Sequence, residues 1–512
     1  MTATPADHPA VSARPRSPDR FRAFVFAGCF LAFAALGFVF VSGQSFWLDE
    51  VRTGAKAVQP TFAAFRTELL KTGGSDVQMP LYMGLIWAWA RAFGTSEWTL
   101  RAINLVFFAL SLFVVATART LLRPHRLAWG LLCTLAPLVA FYLDEARPYL
   151  LLFLGGTLVA SALARPPDRG LPERSELRRL LLGVVILSGA SLTGAVFAAW
   201  PCLWLFVLIV RDRPDHAALR QSLPALGATL LALSALACWF LWTLRAGYRG
   251  TQSFSTDGKT LAFAVYEFLG FAGIGPGRAA LRSAPFDALR RSLFPLAIFA
   301  AVWSFFLAMA IRAGAKPKGH AFRHPLFVCA AIGALVLLAG GVATHLRIVG
   351  RHLIPALPAF LLALAWTFDR VWRSGRLGRT AALALCAALL VSSLSLRYAP
   401  RHAKDDVRTA ARLASEAAEA GSVVWWGGDK WTFEYYPPPA GAAASRLLLF
   451  PDSTKTPLHR PDLAVLSSKY DISDPSGSRR ARLRILGLFP DPFSSPRGFV
   501  IWHPLPTEPG PG

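Results

Sequence analysis

The chain has 512 residues, of which 54% are hydrophobic and 16% charged, and its formal charge is +24. A soluble globular protein carries about 25% charged residues, and here apolar runs able to cross a hydrocarbon core of about 30 Å as helices recur through the first 400 residues. This excludes a soluble enzyme. It also removes nucleic acid as a partner, because most of the positive charge lies in short loops between apolar runs.

Residues 1–21 are rich in Pro, Arg and Ser and are expected to be a disordered cytoplasmic N-terminus. The first run, 22–42, is longer than the apolar region of a signal peptide and reads as an uncleaved anchor. Further spans are expected near 99–118, 127–143, 148–164, 180–195, 196–210, 222–243, 292–311, 325–343, 352–368 and 379–396, eleven in all. With the N-terminus inside, the inner loops hold 23 Lys and Arg in 77 residues, and the longer outer loops between spans hold fewer. That is the positive-inside bias, and the reverse topology breaks it.

The outer loops are 43–98 and 244–291. "MPLYMGLIWAWARAF" at 79–93 is too short to span and reads as an interfacial helix, with Trp87 and Trp89 suited to the headgroup zone. "LAFAVYEFLGFAGIG" at 261–275 is interfacial or re-entrant. The tail, 397–512, changes character. A polar helix pattern, "KDDVRTAARLASEAAEA", is followed by strand-like runs "GSVVWWGGD", "RLLLF", "DLAVLSS" and "GFVIW". The expected architecture is an all-α polytopic membrane domain over 22–396, then a small extracytoplasmic α/β domain over 397–512. Trp425, Trp426, Trp431, Tyr435 and Tyr436 either stack on sugar or fill the core of that domain, and the core is the expected role.

Chemistry is concentrated on the outer face. "FWLDEVRTG" at 46–54 places Asp49 and Glu50 just past the first span, and "FYLDEARPY" at 141–149 places Asp144, Glu145 and Arg147 between two spans. Ionised groups beside lipid need partners, water or a function. Arg347 and Arg351 in "THLRIVGRH" are four apart, so they share a helical face if the tenth span starts early. Guanidinium groups suit phosphate through paired hydrogen bonds. Arg245, Tyr248, Arg249 and Lys259 form a second outer basic cluster. The six cysteines all lie inside apolar runs and read as small core residues. The sequence holds no phosphate-cradling glycine loop, nucleophile elbow or zinc motif. Carboxylates and arginines on one outer face suit group transfer from a lipid-linked phosphate.

At these residues the sequence resembles the GT-C membrane glycosyltransferases, in the branch of the protein O-mannosyltransferases and the lipid A aminoarabinose transferase. "FWLDE" is similar to that family's acidic motif in the first outer loop. "DVQMPLYMGLIWAWARAFGTSEWTLRAINLVF", "YLDEARPYLL", "RIVGRHLIPALPAFLLALA" and "KDDVRTAARLASEAAEAGSVV" are similar to its later blocks, in the same order. The resemblance implies that Asp49 is the catalytic base with Glu50 beside it, and that Glu145 is the acid of the second block. It implies substrate contacts from Asp76, Gln78, Tyr82, Asp144, Arg147 and Tyr149, with Arg347 and Arg351 on the lipid phosphate. Two departures stand out: Gln78-Met79-Pro80 replaces a His-Pro-Pro element, and Asp144 replaces a Gln, which perturbs Glu145 by like-charge repulsion.

The function expected is transfer of a sugar from a polyprenyl-phosphate donor to a hydroxyl of a glycolipid, polysaccharide or protein, in a bacterial inner membrane with the tail in the periplasm. No cofactor is required. A divalent cation could bind the four outer carboxylates, but no spacing demands one. A lipid-glycan transporter or assembly scaffold with the same fold is the competing class.

Overall fold

The computed structural model describes residues 18–72, 75–118, 120–165, 170–212, 216–247, 256–314, 324–438, 440–450, 460–468, 474, 476–491 and 494–504. Most of the expected disordered N-terminus, and Tyr248 and Arg249 of the second basic cluster, lie outside these residues.

Among the described residues, eight helices are long and apolar enough to cross a membrane, or nine when a bent pair counts as one span. The chain is a multi-pass membrane protein. The eight are α1 (Pro18–Phe40), α5 (Glu97–Ala116), α10 (Leu192–Asp212), α11 (His216–Arg245), α16 (Leu293–Arg312), α17 (Pro325–Ala343), α18 (Leu357–Arg373) with the 3-10 turn Gly350–Ala356 before it, and α19 (Arg376–Tyr398). The bent pair is α6 (Arg126–Leu135) and α7 (Pro137–Leu143), kinked by 57°. Pro137 is the cause, since it has no N–H to continue the helix and pushes Ala136 into extended backbone. The hydroxyl of Ser393 on α19 donates to the freed carbonyl of Leu135 at 2.9 Å, so the break stays paired inside lipid.

The other two expected spans are shorter helices. α8 (Tyr149–Leu163) has 15 residues, all buried, and stands at the centre of the bundle. α9 (Arg174–Ala190) ends at Ser191, whose extended backbone splits the long apolar stretch and whose hydroxyl accepts from Gly194 N at 3.0 Å to start α10. So 180–210 is two helices. α8 and α9 touch at glycines: a Cβ on Gly183 would lie 2.9 Å from the Gly155 carbonyl, so a larger residue would push the pair apart.

Between α1 and α5 come α2 (Leu48–Ala57), α3 (Phe62–Thr72) and α4 (Pro80–Phe93). Trp87 and Trp89, expected among headgroups, donate instead to the Gln59 and Thr99 carbonyls at 3.0 and 2.8 Å, pinning α4 to its neighbours. The stretch 261–275 forms two short helices, α12 (Gly258–Phe268) and α13 (Phe271–Ile274), followed by α14 (Arg278–Ser283).

The tail forms α20 (Val407–Glu419) over a five-stranded sheet of β1 (Val424–Gly427), β2 (Leu447–Leu449), β3 (Leu463–Ser467), β4 (Leu488–Asp491) and β5 (Phe499–Pro504). The strand order is β2-β1-β3-β5-β4, with β1 parallel to β2 and β3, and β5 antiparallel to β3 and β4. Successive side chains on β1 point to opposite faces. Trp425 therefore packs with Phe450, Leu483 and Trp502, while Trp426 packs with Phe433 and Phe499 on the α20 side.

Two tail aromatics correct the sequence reading. Tyr435 and Tyr436 do not fill the core of the tail; they fasten it to the membrane part. Tyr435 stacks on Phe46 and donates to the Thr95 carbonyl at 2.8 Å. The Tyr436 hydroxyl accepts from Phe46 N at 3.0 Å and donates to Glu97 at 3.1 Å. Arg52 adds an ion pair with Asp429 at 2.6 Å. A Cβ on Gly54 would sit 2.7 Å from the Tyr435 ring, so Gly54→Val is expected to displace that ring and cost about 1–3 kcal/mol. Limited proteolysis between α19 and α20 checks it, as faster cleavage in the variant. Wild-type cleavage would show that the ring does not hold the tail.

Candidate active site

α2 begins where the seven residues after α1 turn the chain back over the membrane part, and its first turn carries Asp49 and Glu50. Carboxylates there are favoured by the helix dipole. Neighbours on a helix point about 100° apart, and these two have different surroundings.

Glu50 is fully buried. Arg101 on α5 grips it with two parallel bonds, Nε to Oε1 and Nη2 to Oε2, both 2.8 Å. Ala146 N donates to Oε1 at 2.8 Å, and Lys404 Nζ to Oε2 at 2.9 Å. Burial alone would raise this carboxyl, but Arg101 and Lys404 outweigh it and hold the value at about 2. Every lone pair is engaged. Glu50 stands beside Asp49, as expected from the sequence, but as an anion held by the protein's own cations.

Asp144 belongs to the same cluster. Its carboxylate accepts from Ser42 N at 2.6 Å and Ser42 Oγ at 2.9 Å, with Lys404 Nζ at 3.6 Å. Lys404 also donates to the Asp144 carbonyl. Asn104 on α5 donates to the carbonyls of Tyr142, Leu143 and Glu145 at 3.2, 3.4 and 2.6 Å, satisfying the open end of α7.

A second cluster centres on Asp76, in the 3-10 turn Ser75–Gln78. Lys56 Nζ donates to Oδ2 and Arg147 Nη1 to Oδ1, both at 2.7 Å. Burial raises the Asp76 carboxyl, and Arg147 and Lys56 more than reverse this, to about 2. Arg147 is itself buried and also donates to Thr53 Oγ1 at 3.0 Å and Ser75 Oγ at 3.3 Å. Asp76, Asp144 and Arg147 thus spend most of their polar atoms on the protein, while the Nε of Arg147 has no hydrogen-bond partner among the described residues. Tyr82 is buried beneath this cluster, and Gln78 is half-buried at the end of the turn.

Between the clusters lie side chains with fewer partners. Asp49 keeps a quarter of its side chain exposed, and Arg351 Nη1 stands 3.5 Å from its Oδ2. Tyr149 is buried nearby, its ring 4.4 Å from that of Tyr142. Glu145 is buried, and among the described residues its Oε2 has no hydrogen-bond partner. Burial raises its carboxyl to about 7; the Glu50 charge adds to this, and Lys404 and Arg278 oppose it.

Arg347 is exposed and does not share a helical face with Arg351. Residues 346–349 are neither helix nor strand, and helical structure starts only at Gly350. The expected early start of the tenth span is corrected accordingly.

The sign of the Glu145 titration gives a prediction. Below about pH 4.5 both folded and unfolded chains hold its proton; between 4.5 and 7 only the folded chain does, so stability from this group falls as pH rises through that window. The loss is on the order of 3 kcal/mol. Thermal unfolding in detergent should show wild type losing stability between pH 5 and 8 relative to Glu145→Gln. Parallel curves would mean that Glu145 is ionised throughout.

Among the described residues no three His, Cys, Asp or Glu side chains come together as metal ligands. Of the carboxylates in the two acidic motifs, Asp49, Glu50 and Asp144 face guanidinium or ammonium groups. Sequence reading passed over three of these cations. Lys56 and Lys404 sit in ordinary polar stretches, but Arg101 lies within an apolar run, where an ionised residue is itself a signal.

No protein-family model matches the chain, and no curated protein matches it in sequence. Solved structures do. ArnT from Cupriavidus metallidurans in the apo state aligns with a TM-score of 0.52 and 14% identity over 95% of this chain and 98% of that one. The same protein bound to undecaprenyl phosphate gives 0.50 and 14% over 94% and 98%. The mycobacterial arabinofuranosyltransferase AftD scores 0.44 with 15% identity, over 94% of this chain and 40% of that one. Over nearly its whole length, the chain has the fold of ArnT.

Proposed function

We propose that the chain is an integral membrane glycosyltransferase that moves a sugar from a polyprenyl-phosphate donor to an acceptor hydroxyl. The reaction takes place on the outer face of a bacterial inner membrane. One observation carries the reading: of the outer acids in the two motifs, Asp49 alone is both partly exposed and set against a cation that is not otherwise neutralised by a nearer acid. The likeness to a structure bound to undecaprenyl phosphate supports the class of donor.

The acceptor oxygen attacks the anomeric carbon and its proton passes to Asp49. The bond from that carbon to the phosphate oxygen breaks, and the electron pair leaves on the lipid phosphate, which Arg351 and the exposed Arg347 stabilise. Phosphate is a good leaving group, so one base and cationic stabilisation suffice. Glu145, protonated below about pH 7, offers a second carboxyl to substrate hydroxyls. The Glu50 and Asp76 clusters hold the frame. No cofactor enters any step.

The test is a panel of labelled polyprenyl-phosphate sugars given to membranes containing the chain together with envelope glycolipids, polysaccharides and proteins. Release of free polyprenyl phosphate coupled to labelled acceptor, with one donor, is the expected result and names the sugar. Binding of the lipid without turnover across the panel would favour a transporter or scaffold.

A further inference from the structure

One more acid is fully buried at the outer face, and neither acidic motif contains it. Glu267 lies in the last turn of α12. Its Oε1 accepts from Arg278 Nη2 at 2.7 Å, and its Oε2 accepts from Gly350 N at 3.1 Å. Arg278 in turn lies 4.1 Å over the ring of Phe141, at the start of the second acidic motif. Taking a carboxylate out of water is costly, and the cost is offset only where its partners are well placed.

What the carboxylate holds is the arginine segment. Residues 346–349 have no helix or strand to fix them. The outer loop supplies the missing restraints. Thr256 Oγ1 donates to the Leu346 carbonyl and accepts from Ile348 N at 3.0 Å, and Glu267 takes the next free amide, Gly350 N. The approach is close enough to require glycine, since a Cβ on Gly350 would lie 2.5 Å from Oε2 and 3.2 Å from the Glu267 Cβ. The residue after Gly350 is Arg351, whose Nη1 faces Asp49 at 3.5 Å.

We propose that Glu267 is a positioning residue: by clasping Gly350 N and Arg278 together, it sets Arg351 against Asp49 and fixes where the phosphate of the lipid donor sits. This rests on the reading that Arg351 holds that phosphate. Glu267 itself touches no substrate.

Undecaprenyl phosphate is titrated onto the purified full chain in nanodiscs, for wild type, Glu267→Ala, Glu267→Gln and Gly350→Ala. Losing the acceptor of a buried amide should weaken binding at least about tenfold in Glu267→Ala, and clashing with it should do the same in Gly350→Ala. Glu267→Gln keeps an oxygen for Gly350 N but turns an amide N–H toward Arg278, so it should weaken binding less than Glu267→Ala does. The number of sites should stay constant, whereas general loss of structure lowers the number and not the affinity. KM for the donor should rise in step with Kd. Wild-type affinity in folded Glu267→Ala overturns the proposal. If that variant does not fold, wild-type affinity in Gly350→Ala overturns it. Absence of binding by the wild type removes the functional reading, and the positioning role with it.

Discussion

Asp49→Asn is expected to lower sugar transfer by about 10³-fold, within the range for loss of a general base. The amide has nearly the shape of the carboxylate but cannot take the acceptor proton. The chain itself should be little disturbed. The contact to Arg351 is long at 3.5 Å and both side chains are partly exposed, and such pairs contribute about 0–1 kcal/mol. Donor binding should persist, because the phosphate-holding cation stays in place. The measurement is turnover with a saturating labelled donor at equal protein level. A rate within tenfold of wild type would remove Asp49 as the base and turn attention to Glu145.

The second large effect is structural. Arg101→Ala removes a guanidinium that is fully enclosed between α1 and α2 and donates to both oxygens of Glu50, to the carbonyls of Ser42 at 3.0 Å, Gln44 at 2.7 Å and Ser45 at 3.3 Å, and to Ser42 Oγ at 3.3 Å. What remains is a buried carboxylate with less than half its compensation and three carbonyls without water. Breaking one side of such a pair costs about 3–5 kcal/mol, against a total stability of about 5–15 kcal/mol. The variant is therefore expected to accumulate poorly and to unfold well below wild type. Arg101→Lys should rescue little, since an ammonium cannot span the two carboxylate oxygens and the carbonyls together. In Glu50→Gln/Arg101→Met the loss should be smaller than the sum of the single losses, because neither charge is left alone. Unfolding of Arg101→Ala within a degree or two of wild type would show that water or a neighbour replaces the guanidinium.

Much of this frame was legible in the chain. Apolar runs and the Arg and Lys between them gave the bundle, but not the bend at Pro137 in the span expected at 127–143. The paired acids were legible because charge beside lipid is rare. Their division of labour was not. Asp49 and Glu50 are adjacent and chemically alike, and only Arg101 and Lys404, 51 and 354 residues away from Glu50, make one structural and leave the other open. The same holds for Asp76, which reads as a ligand until Lys56 and Arg147 are seen on it. Glu267 gave no sign, sitting in an apolar stretch whose relation to Gly350 depends on how the outer loop folds back. Tyr435 and Tyr436 read as core residues because sequence cannot say which of two bodies an aromatic residue packs against.

Lys404 has a consequence for how the protein is made. It follows α19, the last of the described helices long and apolar enough to span, and its ammonium lies between Glu50 and Asp144, which come early in the chain. While the chain is being synthesised, the acids of both motifs are made before this cation exists. Until it arrives, Glu50 lacks one partner and the turn that carries Glu145 lacks a clamp. The two acids are therefore locked together only after α19 is in place, and a chain stalled before that point holds an unfinished charge cluster.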